Sequence, residues 1–144
     1  MVTGCGSVPN LMDTISTLLN EGNPVIAIVG ATDNPGKYGN RIYRDLKGKG
    51  YRVYPVNPTK DTIDGDPAYA DLGDLPETPD IVNFVVPPQR TLRLLERAKE
   101  LGLMTVWIQP GAENEAVLAY LADNGFEYLA NACIMVWSRV EPAI

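Results

Sequence analysis

The 144 residues contain no histidine. That absence removes imidazole acid–base catalysis, histidine metal ligation and phosphohistidine chemistry together. Cysteine is nearly as scarce: Cys5 and Cys133 are the whole set, with no Cys-x-x-Cys pair. Two such residues make neither a disulfide framework nor a metal cluster, so no metal site is expected and a reducing, cytoplasmic setting is. No apolar run approaches the roughly 20 residues of a membrane span, and residues 1–10 lack the charged and apolar regions of a signal peptide. Positive charge is also in short supply, with 12 Lys and Arg against 18 Asp and Glu and a net charge of −6. A general nucleic-acid or anionic-membrane surface needs the opposite balance.

What is there reads as an ordinary globule, 45% hydrophobic and 21% charged, long enough for one domain with its own core. The chain is organised around Pro24–Gly39. An apolar run, Val25 to Val29, ends in Gly30; Thr32, Asp33, Asn34, Pro35 and Gly36 form a turn-rich loop, and a helical pattern opens near Tyr38. A strand, a glycine loop and a helix start aim free backbone N–H groups beyond the strand's end, which makes an anion site, usually for phosphate. From Asp33 to Lys60 the acidic chain turns locally basic, with seven cations against two anions. That excess fits either a polyanionic ligand or a solvated basic helix face.

Along the rest of the chain, residues 1–8 read as loose. Pro9 or Asn10 starts a covering helix with Leu11, Ile15, Leu18 and Leu19 at helical spacing, ended by Gly22. Ile42, Tyr43 and Leu46 give the next helix its inward stripe before Gly48 and Gly50 stop it. Strands are expected over Tyr51–Asn57, Asp80–Pro87, Met104–Gln109 and Glu127–Ala130, and helices over Gln89–Leu101 and Glu113–Asn124. Residues 59–79 lack a period and read as an irregular connection, with Pro67–Ala70 as an edge strand, where proline is tolerated. Near-continuous apolar strands alternating with helices predict an α/β fold, a single Rossmann-type doubly wound domain. Its mainly parallel sheet would have five to six strands in the order 3-2-1-4-5, with helices on both faces. The domain covers 1–144: a covering helix in 1–23, a core in 24–131, and an apolar tail in 132–144 that can dock on the body or form a homodimer. Ligands of such sheets lie at the carboxyl ends of the strands, at the switch point. Loops at Gly30–Gly39, Asn57–Lys60, Val86–Pro88 and Gln109–Gly111 would meet there.

Three nucleotide chemistries compete for those loops. A P-loop needs four residues between its glycines and a hydroxyl after the lysine; Gly30 to Gly36 encloses five, and Tyr38 follows Lys37. A dinucleotide site needs Gly-x-Gly-x-x-Gly and an acid ending the second strand. Here Gly30-Ala31-Thr32 departs from the first requirement, and Asn57-Pro58 stands where the acid should be. Coenzyme A carries a 3′-phosphate where NAD carries a hydroxyl, and a lysine, Lys60, follows the second strand. A solvated loop lysine would look the same.

Gly30-Ala31-Thr32 with Asn34-Pro35, Val56-Asn57-Pro58, Val85-Val86-Pro87-Pro88, Trp107 to Ala112 and Asn131-Ala132-Cys133 occur in that order between Pro24 and Trp137. Together they resemble the successive signatures of the stand-alone CoA-binding domain family, itself similar to the CoA-binding domain of the succinyl-CoA synthetase α subunit. The resemblance implies coenzyme A as ligand, with Gly30, Ala31 and Thr32 approaching the pyrophosphate and Asn57, Pro58 and Lys60 facing the 3′-phosphate end. Asn34, Lys37 and Gly39 belong to the same loop. Val86 and Pro87 would border the adenine or pantetheine path, and Gln109 and Gly111 would lie along the cleft towards the thiol arm. Strand-end and turn geometry accounts equally for Val86, Pro87 and Gly111. Arg90, a cation in a first helical turn where the dipole disfavours it, is explained by a nearby phosphate or by solvent exposure. Cys133 is either a packing residue or a thiol within reach of pantetheine. No catalytic residue is expected: the synthetases carry their phosphorylated histidine in a following domain, so ligase chemistry would need an ATP-binding partner chain. An NAD(P)-dependent oxidoreductase is the other alternative.

Overall fold

The structure, a computed structural model, describes residues 7–138, with side chains from residue 14 onward. Residues 1–6 of the expected loose start, with Cys5, and residues 139–144 of the tail lie outside the described residues, as does the side chain of Leu11; residues 7–8 open the first helix. Five parallel strands, β1 (Val25–Val29), β2 (Arg52–Val56), β5 (Ile81–Phe84), β6 (Thr105–Ile108) and β7 (Glu127–Ala130), form one sheet in the order β2-β1-β5-β6-β7. The register pairs Ile28 with Pro55 on one side and with Asn83 on the other. The order reverses between β1 and β5, which opens a crevice above their carboxyl ends.

Successive strand residues point to opposite faces, and the two faces are both apolar. Ile26, Ile28, Ile81 and Trp107 meet α1 (Ser7–Glu21), α2 (Tyr38–Gly48) and α5 (Ile134–Trp137) through Ile15, Leu19, Ile42, Tyr43, Leu46 and Ile134. Ala27, Val29, Val82, Phe84, Val106 and Ile108 meet α3 (Pro88–Glu100) and α4 (Glu115–Asp123) through Leu95, Ala98, Val117 and Leu121. This is the doubly wound α/β fold that the alternation of elements predicts. Each of the fully buried Ile and Leu side chains contributes roughly 1.5–3 kcal/mol to the sandwich.

The expected edge strand Pro67–Ala70 is corrected. Pro67 belongs instead to a two-residue antiparallel hairpin, β3 (Thr62–Ile63) with β4 (Asp66–Pro67), turned by Asp64 and Gly65 at φ 51° and 85°. Only Tyr69 reaches the main sheet, as a single parallel bridge: its N–H donates to Pro55 O (3.0 Å) and its carbonyl accepts from Asn57 N (2.9 Å). Pro55 and Pro67 supply no ladder donors, so a longer pairing has nothing to build on. A one-turn 3-10 helix at Leu72–Asp74 completes this connection.

The described part of the tail docks on the body. Trp107 Nε1 donates to Ala132 O (2.7 Å), Lys49 Nζ donates to Met135 O (2.8 Å) and to Ser138 Oγ (2.7 Å), and the Trp107 and Trp137 rings meet edge to face. No helix among the described residues is long and apolar enough to cross a membrane.

Candidate ligand-binding cleft

A cleft of about 870 Å³ opens at the carboxyl end of the sheet. Its floor is the glycine loop after β1. Gly30 adopts φ 103°, and a side chain there would stand 2.7 Å from Val86 Cγ1 and 2.8 Å from Val85 O. Gly39 lies closer still: an added Cβ would sit 2.1 Å from Gly30 O, so the first turn of α2 rests directly on the strand's end. Asn34 shapes the turn between them, its Oδ1 accepting from Gly36 N at 2.9 Å and its carbonyl from Lys37 N at 3.1 Å.

Two helix starts face this space without neutralisation. Neither Lys37, which precedes α2, nor Pro87, which precedes α3, supplies a side-chain cap, and neither helix has an acid in its first turn. The contrast is α4, whose N–H of Val117 donates to Asn114 Oδ1 and whose first turn carries Glu115. Uncapped helix starts leave N–H donors and partial positive charge for another acceptor. Lys37, Arg90 and Arg93 add full positive charges to the cleft lining, and none has an ion-pair partner among the described residues. Among the described residues, Asp71 is the one acid of the lining. It is already engaged by Arg97 at 2.9 Å, and hydrogen bonds from that guanidinium hold its carboxyl below the usual range.

Of the residues singled out in the sequence, Gly30, Thr32, Lys37, Gly39, Asn57, Pro58, Val86, Pro87, Arg90 and Gly111 line the cleft. Ala31 is buried behind the loop, and its carbonyl accepts from Asn57 Nδ2 at 2.9 Å. Asn34 acts on the loop rather than in the lining. Lys60 stands one residue past the lining Thr59, with Nζ 3.4 Å from Asp33 Oδ1. Gln109 is placed away from the cleft, 3% exposed; its Oε1 accepts from Ile134 N at 2.8 Å and its Nε2 lies 3.6 Å from Cys133 Sγ. Cys133 is half-buried at the start of α5 and does not line the cleft either. Arg93 and Leu94 are lining residues beyond those singled out. Arg93 follows Arg90 by three positions, the spacing that keeps two side chains on one helix face, and that was its signal.

Residues 24–139 match the family model described as CoA binding domain. The chain belongs to that family. A Bacillus subtilis relative, uncharacterized protein YneT, is 30% identical over 111 residues, 77% of this chain and 82% of that protein. The α subunit of a Pyrococcus furiosus ADP-forming acetate–CoA ligase II is 33% identical over 84 residues, which are 58% of this chain and 18% of the subunit. This CoA binding domain therefore matches only a minor portion of that ligase subunit. Among solved structures, a conserved hypothetical protein from Pyrococcus furiosus is 47% identical with a TM-score of 0.74, covering 77% of this chain and 96% of that one. The dinucleotide-forming acetyl-coenzyme A synthetase 1 of Ca. Korarchaeum cryptofilum superposes with a TM-score of 0.65 at 27% identity, covering 80% of this chain and 26% of the synthetase. The domain is thus related to the CoA-binding part of ADP-forming acetyl-CoA synthetases.

Proposed function

We propose that this protein holds coenzyme A, free, acylated or disulfide-linked, and performs no covalent chemistry on it. The carrying observation is the cleft itself: two uncapped helix starts, and three cations without an ion-pair partner among the described residues, converge on it in a molecule of net charge −6. A ligand bearing a diphosphate and a further phosphate supplies the negative charge that this arrangement lacks. The glycine loop would take the diphosphate, and Asn57, Pro58 and Lys60 the 3′-phosphate end. Val86, Pro87 and Gly111 would border the pantetheine. The 144 residues hold no histidine, and no cluster of His, Cys, Asp and Glu among the described residues could hold a metal. Calorimetry with CoA, dephospho-CoA, NAD and NADP tests the reading. CoA should bind tightest; tighter binding of NAD would overturn it, and equal binding of dephospho-CoA would remove the role given to Lys60.

The relatives favour one second reading, a CoA-binding ligase subunit that needs an ATP-binding partner chain. Acyl-CoA formation from a carboxylic acid, ATP and CoA, seen only on mixing with such a chain, would replace the holding role by that one.

A further inference from the structure

Two asparagines grip consecutive carbonyls of the glycine loop. Asn57 Nδ2 donates to Ala31 O at 2.9 Å, and Asn40 Nδ2 donates to Thr32 O at 2.9 Å and to Asp64 Oδ2 at 3.1 Å. Asn40 is 2% exposed and stands in the first turn of α2. Both of its partners are acceptors, so its amide can face them in one orientation only. Asp64 is fixed in turn by Arg44 Nε at 3.0 Å, which ties the tip of the β3–β4 hairpin into the same chain of contacts.

The peptide plane gives these contacts a consequence. No cis bond occurs among the described residues, and in a trans peptide the C=O and the following N–H point opposite ways. Turning the carbonyl of Ala31 towards Asn57 turns the N–H of Thr32 away from it. Turning the carbonyl of Thr32 towards the buried Asn40 turns the N–H of Asp33 outward. Neither N–H has an acceptor among the described residues.

We propose that Asn40, anchored by Asp64, is a positioning residue that holds the Asp33 amide pointed at the diphosphate of the ligand, as Asn57 holds the Thr32 amide. This rests on the CoA-binding reading of the cleft. Without the grip the Thr32–Asp33 peptide is free to rotate, and binding would first have to order it. Asn40→Leu keeps the approximate shape and removes the donor without adding charge; Asn40→Ala removes both. Each should weaken CoA about tenfold, one charge-assisted hydrogen bond being at stake, while the weaker binding of adenosine, which has no phosphate, stays unchanged. In the wild-type protein, the Thr32 and Asp33 amide resonances should be among the most shifted on titration with CoA, and in both variants the Asp33 response should shrink.

The outcomes separate. A wild-type protein that binds no CoA sinks the functional reading. CoA binding that leaves the Asp33 amide unmoved sinks the positioning role, even where a variant fails to fold. Equal proportional loss of CoA and adenosine binding reduces Asn40 to a packing residue.

Discussion

Gly39 has no room for a side chain, and that fact joins stability to binding at one residue. The carbonyl of Gly30 occupies the place where Cβ would be, so Gly39→Ala must push α2 off the end of β1. Overpacking of this kind costs about 1–3 kcal/mol, read as a lowered midpoint in thermal or urea unfolding, and the displaced helix start should weaken CoA alongside. Lys60 makes the opposite kind of prediction, since it is exposed and its only role at stake is charge. Asp33 competes for it at 3.4 Å. Exposed pairs are worth about 0–1 kcal/mol, so Asp33→Asn should tighten CoA by up to about fivefold and leave dephospho-CoA unchanged. Lys60→Ala should bring the two ligands together. Calorimetry on both ligands with both variants reads the pair, and a tightening of dephospho-CoA by Asp33→Asn would show that Asp33 acts on something other than the 3′-phosphate.

At the scale of elements, α5 is held by a residue that the sequence placed in the cleft. Gln109 follows Trp107 by two positions and so shares its face of the sheet, the face covered by α1, α2 and α5. Strand parity was available to put it there; the signature Trp107 to Ala112 drew it to the ligand instead. Gln109→Ala strands the buried N–H of Ile134, a loss of about 1–3 kcal/mol in unfolding, while CoA affinity should move less than about twofold. The β3–β4 hairpin was illegible for a different reason. Its order comes from side chains that reach other elements: Asp64 to Arg44, and Asp66 to Tyr43 and Lys47, all on α2. Such pairs leave no period in the local sequence. They do leave a pH signature. Hydrogen bonds from Lys47 and then Tyr43 pull the Asp66 carboxyl below its ordinary value, while burial and then the Asp66 hydrogen bond push the Tyr43 hydroxyl up. A carboxylate with a lowered folded pKa contributes stability above its unfolded value, about 3.9, and loses it as the pH falls through the folded one. Stability measured from pH 6 downward should therefore drop below about pH 4, and Asp66→Asn should be less stable at pH 6 with a flatter acid limb.

For the whole molecule, the sheet and its switch point were written in the chain because the central strands β1, β5 and β6 are short, mostly apolar runs buried on both faces, with helical stripes between. Val25–Val29 is buried at every position, and Ile42, Tyr43 and Leu46 recur at helical spacing on α2. The same fold lets an acidic protein bind a polyanion. Acidic residues outnumber basic ones, yet among the described residues Lys37, Arg90 and Arg93 reach the cleft without an ion-pair partner while its one acid is neutralised by Arg97. Salt acts on both features in opposite directions. It screens the repulsion between the ligand and the net charge of −6, which would tighten binding, and it screens the local cations, which would loosen it. At a Debye length of about 8 Å in physiological salt, charges spread over the surface are already largely screened, whereas contact pairs inside a partly enclosed cleft are not. Further salt therefore has mostly the local attraction left to weaken. CoA affinity measured between about 0.15 and 0.5 M salt should fall, and replacing Arg90 and Arg93 together by Ala should flatten that slope. An affinity that rises with salt over this range would mean that the acidic surface, rather than the cleft, governs the encounter.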